Sequence, residues 1–219
     1  MNKTITVKGI GNASARPDYV VISMALESTD KEYSKAMEHA AENITLLTET
    51  LVATGFEKEA LKTTNFNVRT DYDSIRKKDG SYESVFRGYV VSHNLKIEFD
   101  FKADQLSKAL SAIGSCTAHP QMSIAFTVKD PTTINEEMLR AATMNARRKA
   151  EILCEASGKK MGDLLSIDYN WGELNIFSNT RYDMAEECMA APMMMAKSID
   201  FEPDDIDVSD TATFVWEIA

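Results

Sequence analysis

The feature that most constrains the fold is a long stretch in which nearly every second residue is apolar. Within residues 86–101, one face of an extended strand would carry Tyr89, Val91, His93, Leu95, Ile97 and Phe99. Such alternation is typical of a strand with one buried face. A shorter alternation at residues 66–72 precedes it, and the intervening residues 74–84 are polar and contain the turn dipeptide Asp79-Gly80. The pattern predicts a long antiparallel hairpin joined by a polar loop.

Two stretches with a helical apolar repeat alternate with the strands. The first follows a strand at residues 20–26, starts at a T-x-x-E capping box at residues 29–32 and ends at Gly55. The second starts at a capping box at residues 133–136 and continues through an alanine-rich sequence to Gly158. A capping box satisfies backbone N–H groups at a helix start, and glycine is common just past a helix end.

The two halves of the chain resemble each other around these glycines. When Gly55 is aligned with Gly158, three further positions correspond: Leu61 with Leu164, Phe66 with Tyr169, and Asn67 with Asn170. A strand at residues 124–128 would open the second unit, and the last strand, residues 208–218, would pair with residues 164–171. We expect an α+β fold of duplicated β-α-β-β units, with long antiparallel hairpins packed against two long helices.

The order of these elements predicts how the chain divides. Residues 1–101 would hold an N-terminal strand and the first β-α-β-β unit. Residues 102–219 would hold a short helix and the second unit, with a methionine-rich insertion at residues 178–198. Together the two parts would form one domain.

Composition excludes one class of partner. The 219 residues include 24 Lys and Arg against 34 Asp and Glu, so the formal net charge is −10. A field of this sign repels phosphate backbones. Hydrophobic residues make up 44% of the chain, yet no apolar run approaches the roughly 18 residues that a membrane-spanning helix needs. We therefore expect no nucleic-acid partner and no transmembrane segment.

The first residues and the cysteines predict a compartment. The opening sequence MNKTITVKGIG alternates like a strand and lacks the apolar centre of a signal peptide. Cys116, Cys154 and Cys188 are odd in number and widely spaced, which argues against a disulfide framework and fits a reducing compartment. The expected location is cytoplasmic.

The sequence MAEECMAAPMMMAK, at residues 184–197, concentrates soft side chains. Its possible contact residues are Met184, Cys188, Met189, Met193, Met194 and Met195. Thioether and thiolate ligands favour Cu(I), although dedicated soft-metal sequences repeat a spacing that is absent here. Methionine clusters also form adaptable protein interfaces. We expect an interaction segment or a loop, with soft-metal binding as the alternative and no bound cofactor.

Other chemical signals are incomplete. The glycines of GIGNAS, at residues 9–14, lack the spacing of a phosphate-binding loop and favour a bulge or bend in a strand. Cys116 and His119 form a C-x-x-H pair without a second pair at zinc-finger spacing. His93 lies on an apolar strand face, where a hydrogen-bonded core or interface histidine is the common case. No set of residues supports a catalytic or metal site, so we expect a protein that is not an enzyme.

Taken together, several segments resemble the SIMPL-domain family, a largely bacterial group without an assigned enzymatic mechanism. The segments that carry the resemblance are ITVKGIGNASARPDYVVISMALES, LKTTNFNV, GYVVSHNLKIEF, ARRKAEILCEASGKKMGDLLSI and IDVSDTATFVWEI. The family similarly opens with a glycine-bearing strand and an Arg-Pro-Asp step, as at residues 16–18. It includes periplasmic and outer-membrane immunogens, from which this sequence departs because it shows no export signal.

The resemblance implies an α+β fold and, in some relatives, a tendency to assemble into rings and a link to oxidative or envelope stress. It supplies no catalytic residues. The leading hypothesis is a non-enzymatic structural or interaction protein that forms homo-oligomers through exposed strand edges and the segment from Met184 to Met195. The alternative is a binding protein for a soft metal or a small ligand that uses the same segment.

Overall fold

A computed structural model of the chain describes residues 3–169, 176–184 and 202–219. The α-helices in these ranges are α1 (Tyr33–Ala53), α2 (Ala103–Ser115) and α3 (Thr132–Ala156). The strands are β1 (Thr4–Ala15), β2 (Tyr19–Asp30), β3 (Lys62–Arg76), β4 (Tyr82–Asp100), β5 (Gln121–Thr127), β6 (Met161–Asp168), β7 (Phe177–Met184) and β8 (Ile206–Ile218). The strands form two antiparallel sheets, and the helices pack on their faces, which confirms the predicted α+β class.

The chain forms two compact units whose segments interleave along the sequence. The first unit comprises the described residues within Met1–Asp18, Thr127–Asn179 and Pro203–Ala219. The second comprises those within Tyr19–Phe126 and Thr180–Glu202. The division of the sequence at residue 101 stays a prediction.

The second unit contains a five-stranded sheet in the order β3-β4-β2-β5-β7. The antiparallel ladder between β2 and β4 runs from the pair Tyr19↔Asp100 to the pair Asp30↔Tyr89. Strands β3 and β4 form the predicted hairpin. Its core lies between one face of this sheet and the helices α1 and α2. The largest fully buried side chains there are Ile22, Met24, Leu47, Leu51, Leu95, Ile97, Leu106, Ile113, Ile124 and Phe126.

The first unit contains a three-stranded sheet in the order β1-β8-β6, which α3 covers on one face. Strands β1 and β8 pair without a register shift from Thr4↔Glu217 to Ala15↔Ile206. Strand β6 pairs with β8 on the other side, as the sequence predicted, with two register shifts.

The two units share one arrangement of helix and strands. In the second unit, α1 is followed by the hairpin β3-β4, and β2 lies beside β4. In the first unit, α3 is followed in sequence by β6 and later by β8, and β1 lies beside β8. The structure differs from the expected order at one point. The strand predicted to open the second repeat corresponds to β5, and β5 joins the five-stranded sheet that contains the first repeat. Strand β1 occupies the corresponding place in the first unit.

Close packing of α3 on β1 explains why β1 takes this place. The buried side of α3 repeats every four residues as Ile134, Met138, Ala142, Ala146, Ala150 and Cys154. A Cβ atom at Gly9 would overlap the carbonyl oxygen of Ala142, and one at Gly11 would overlap the carbonyl oxygen of Met138. The two glycines therefore let the helix backbone approach the strand, as glycines in strands often do. The interpretation of GIGNAS as a bulge is wrong, since β1 pairs evenly with β8.

Helix α3 also covers the outer edge of β1. The backbone N–H of Ile10 donates a hydrogen bond to Oδ1 of Asn145 at 3.1 Å. The ammonium group of Lys149 donates to the carbonyl oxygen of Lys8 at 3.1 Å. These two backbone groups are therefore unavailable to an added strand in the middle of β1.

The helix starts differ from the predicted capping boxes, whereas the helix ends agree. Oδ1 of Asp30 accepts a hydrogen bond from the N–H of Glu32 at 2.8 Å, and Oδ1 of Asp130 accepts one from the N–H of Thr132 at 2.9 Å. Hydrogen bonds from the Thr132 side chain and backbone lower the pKa of Asp130. The predicted boxes are wrong because Thr29 still belongs to β2 and the second helix begins one residue before Thr133.

The glycines past both helix ends were predicted correctly. Gly55 has a φ of 101° and Gly158 a φ of 69°, one residue beyond the C-caps Thr54 and Ser157. These values lie in the left-handed region, where a side chain would be strained, so glycine ends each helix without cost.

Replacing Gly9 or Gly11 with alanine should destabilise the protein by about 1–3 kcal/mol or more, because the added methyl group overlaps the backbone of α3. Urea unfolding followed by circular dichroism would measure the change. Ile10→Ala is the matched control, since Ile10 lies between the two glycines with its side chain exposed. It should cost less than about 1 kcal/mol, and an equal loss in all three variants would contradict the explanation.

Candidate interaction site

The hairpin of the second unit extends beyond the sheet that supports it. Strand β2 ends at Asp30, opposite Tyr89, so the residues of β4 before Tyr89 have only β3 beside them among the described strands. We call this two-stranded part, residues 71–88, the ribbon. A hairpin of two strands alone is marginally stable in water and usually gains stability by packing against something else.

The ribbon is longer than the sequence predicted. Residues 74–84 were expected to form a polar loop, but β3 continues to Arg76 and β4 begins at Tyr82. At the tip, the N–H of Lys77 donates to the carbonyl oxygen of Ser81 at 2.7 Å. The hydroxyl and N–H of Ser81 both donate to Oδ1 of Asp79, at 2.6 and 2.9 Å. These bonds lower the pKa of Asp79 and hold the tip closed.

A bulge marks the point where the ribbon leaves the sheet. The register changes between the pairs Asp71↔Gly88 and Tyr72↔Phe86, which leaves Arg87 as the extra residue of β4. A Cβ atom at Gly88 would lie 2.5 Å from the carbonyl oxygen of Asp30. Glycine therefore allows the end of β2 to lie against β4, and the bulge sets the direction in which the ribbon continues.

One face of the ribbon carries a row of aromatic rings. The ring centroids of Tyr72 and Phe86 are 5.5 Å apart, those of Phe86 and Tyr89 are 5.4 Å apart, and those of Tyr89 and Tyr33 are 5.5 Å apart. Each pair meets edge to face, an arrangement that stabilises neighbouring rings. The row is anchored at the start of α1 through Tyr33.

Much of this row remains open to solvent. The exposed fractions are 54% for Tyr72, 39% for Phe86 and 68% for Tyr82, which lies further out on the same face. No described element covers these three side chains. Exposed aromatic residues that lie together on a fixed backbone are typical of protein interfaces.

The opposite face of the ribbon carries charges. Arg87 lies 3.8 Å from an Asp71 carboxylate oxygen and 3.3 Å from one of Asp73. Lys77 and Glu83 form a further ion pair at 3.2 Å near the tip. These pairs are exposed, and each contributes little to stability. They share this face with Ile75 and Val85, which are also exposed, whereas the aromatic rings lie on the other face.

His93 lies on the aromatic side of the hairpin, below the ribbon. Its ring meets Phe66 edge to face at 5.2 Å, and its Nε2 lies 2.8 Å from the hydroxyl oxygen of Thr63. Burial lowers the pKa of His93, because a charged imidazole loses solvation there. This is the hydrogen-bonded strand histidine that the sequence favoured.

The C-x-x-H pair considered as a metal site lies in a turn beside a buried cysteine. Cys116 is buried, and its sulfur accepts a hydrogen bond from the Thr50 hydroxyl at 3.7 Å. The N–H of His119 bonds to the Cys116 carbonyl oxygen, so the C-x-x-H sequence forms a turn after α2. Within the described ranges, no three His, Cys, Asp or Glu side chains form a group that could hold a metal ion. No helix in those ranges is both long and apolar enough to cross a membrane.

The predicted methionine segment falls almost entirely outside the description. Met184 is the last residue of β7. Cys188, Met189, Met193, Met194 and Met195 lie outside the described residues. Their assignment as contact residues stays a prediction.

The sequence contained a signal for the ribbon that the loop prediction passed over. The aromatic residues Tyr72 and Phe86 each lie five residues from a tip at residues 77–81 and pair with each other. Ser74 and Ser84 lie between them and directly oppose each other. Each serine lies two residues from an aromatic residue and therefore on the same strand face as the rings, so the period of two continues through the stretch assigned to a loop.

Comparison with known proteins gives distant relatives. The chain is 24% identical over 163 residues to the 26 kDa periplasmic immunogenic protein of Brucella melitensis. The aligned region covers 74% of this chain and 65% of that protein. It is 22% identical over 166 residues to the uncharacterized protein YggE of Escherichia coli K12, with 76% and 65% covered. The chain thus spans a little under two thirds of the length of the curated relatives it matches.

The predicted cytoplasmic location is contradicted by these relatives. Proteins of Brucella melitensis and Brucella abortus that resemble the chain are named as periplasmic. The prediction depended on the first residues and on the cysteine count, and neither identifies the compartment. Cys116 and Cys154 are free and buried, a state that thiols keep in oxidising and in reducing surroundings alike.

The fold and the sequence lead to the same assignment. A family model matches residues 5–216, which includes every strand and helix described above except the outermost residues of β1 and β8. No enzymatic activity is attached to that family. The chain belongs to the SIMPL family, which is described as a protein of unknown function (DUF541).

Proposed function

We propose that the chain is a non-enzymatic periplasmic protein that assembles with copies of itself through the ribbon. The observation that carries the proposal is the row of aromatic side chains on a two-stranded extension that no described element covers. The hairpin edges and the ribbon correspond to the exposed strand edges expected from the sequence.

The physical argument is one of incomplete burial. Tyr72, Phe86 and Tyr82 lie on one face, and their rings stay in water while the ribbon stands without a third strand. Burying an aromatic side chain fully is worth roughly 1.5–3 kcal/mol. Contact with another copy would bury part of this apolar surface and would stabilise a hairpin that is marginal by itself.

The periplasmic part of the proposal is supported by the names of the Brucella relatives. It is also compatible with the cysteines, since Cys116 and Cys154 are each 3% exposed and are shielded from oxidants. The predicted contact segment from Met184 to Met195 and the predicted link to envelope stress remain proposals from the sequence.

Replacing Tyr72, Tyr82 and Phe86 with serine should shift the protein from an assembly to a monomer, because the variant removes the apolar surface but leaves the core of the second unit intact. Size exclusion with light scattering at several concentrations would measure the mass. Thermal unfolding of the variant would verify that both units still fold.

A matched control is Met144→Ser with Leu153→Ser, which removes two exposed apolar side chains from α3. This variant should keep the mass of the unaltered protein. A deletion within residues 185–198 should spare β7, which ends at Met184, and would show whether the methionine segment contributes. A monomeric unaltered chain at all concentrations would refute self-assembly.

The cysteines generate a separate prediction about chemical protection. In a Cys188→Ser variant, neither remaining thiol should react with a thiol reagent while the protein is folded, because both are buried. Both should react after unfolding in guanidinium, as three cysteines less one leave two. A thiol that reacts quickly in the folded variant would contradict the protection by burial.

A further inference from the structure

The edges of the two sheets differ in how they are protected. Strand β1 has its edge bonded to Asn145 and Lys149, as described above. Strand β3 ends the five-stranded sheet on one side, and no described strand lies beyond it. Nearly every residue of β3 is exposed along its 15 residues. A long open edge of this kind is a template for another strand.

Most of this edge is geometrically regular. On β3 itself the only irregularity is near Thr64, between the pairs Thr63↔Leu95 and Asn65↔Asn94. The bulge at Arg87 belongs to β4 and inserts no residue into β3. Residues 65–76 therefore offer an uninterrupted edge. Bulges on an edge are one way in which proteins discourage added strands, and this stretch lacks one.

We infer that β3 pairs antiparallel with β3 of a second copy about a two-fold axis at Thr70. The inference rests on the proposed self-assembly and specifies its contact. A two-fold axis perpendicular to the sheet places each residue opposite one on the same face, so the aromatic faces of both ribbons lie on one side. Neighbouring residues of a strand point to opposite faces. The axis must therefore lie between the two copies of one residue, and not between two different residues.

Charge decides between the two registers that use nearly the whole regular edge. An axis at Asp71 pairs residues 66–76 and places two Asp71 carboxylates directly opposite each other, which is destabilising. An axis at Thr70 pairs residues 65–75 and places Arg69 opposite Asp71 of the second copy, twice by symmetry. The two side chains already lie 3.9 Å apart within one copy, on the same face of β3.

The remaining pairs of the Thr70 register are also compatible. Val68 lies opposite Tyr72 of the second copy, an aliphatic and aromatic pair of the type that stabilises sheets. Phe66 lies opposite Ser74, and Asn67 lies opposite Asp73. No like charges oppose each other. An axis at Arg69 would instead place two guanidinium groups together, and an axis at Val68 would leave much of the ribbon unpaired.

The first test is cysteine crosslinking in the Cys188→Ser background. Across the axis the two Cα atoms of residue 70 should lie about 4.5–5.5 Å apart, within the range of a disulfide. Thr70→Cys should therefore form a covalent dimer with oxidised glutathione. Ser74→Cys is the matched control, because its two copies would be roughly 26 Å apart along the strands, and it should remain uncrosslinked.

The second test uses charge variants and decides the question even if Thr70→Cys does not fold. Arg69→Asp places two carboxylates opposite each other at each of the symmetric contacts, and Asp71→Arg places two guanidinium groups there. Each variant alone should therefore associate about tenfold more weakly than the unaltered chain. Mixed together, the two variants place opposite charges at both contacts and should regain association. A defect within one chain would not be rescued by mixing.

The outcomes separate this inference from the proposed function. An assembly in which Thr70→Cys crosslinks no better than Ser74→Cys, and in which mixing rescues nothing, overturns the Thr70 register alone. A chain that light scattering shows to be monomeric overturns self-assembly as well, as would be the case if β3 received a strand from a different protein.

Discussion

The close approach of α3 to β1 is the constraint on which the first unit depends. Gly9 and Gly11 remove the side chains that would separate the two backbones, and alanines at every fourth position of α3 do the same from the helix side. With the backbones this close, Asn145 and Lys149 reach the outer edge of β1. One packing contact thus positions the helix on the strand and brings two side chains of α3 to the edge of β1.

The second unit repeats the arrangement without those bonds at its edge strand, and the surface proposed for interaction lies where the two units differ. Strands β3 and β4 have 15 and 19 residues, whereas β6 and β8 have 8 and 13. The additional length forms the ribbon. When a unit is duplicated, one copy can keep a short, well-covered sheet while the other extends its hairpin into a surface for contacts. The longer hairpin of the second unit is consistent with such a division.

The sequence predicted the elements well and their neighbours less well. Alternation and helical repeats located the hairpin and both long helices, because periodicity depends on which face is buried. The place of β1 was missed, since it depends on contacts between residues far apart in sequence. The ribbon was missed because Ser74 and Ser84 suggested a loop, whereas cross-strand aromatic pairs such as Tyr72 with Phe86 maintain the strands.

The pairing of β1 with β8 has a consequence for the order of folding. Thr4 lies opposite Glu217, so the two strands that complete this sheet come from nearly opposite ends of the chain. Contacts of such large sequence separation form slowly, because a long loop must close first. During synthesis, strands β2 to β5 of the second unit can pair before β8 has been made, whereas β1 cannot pair with β8 until the end of synthesis. The first unit is therefore the last part of the molecule to become native.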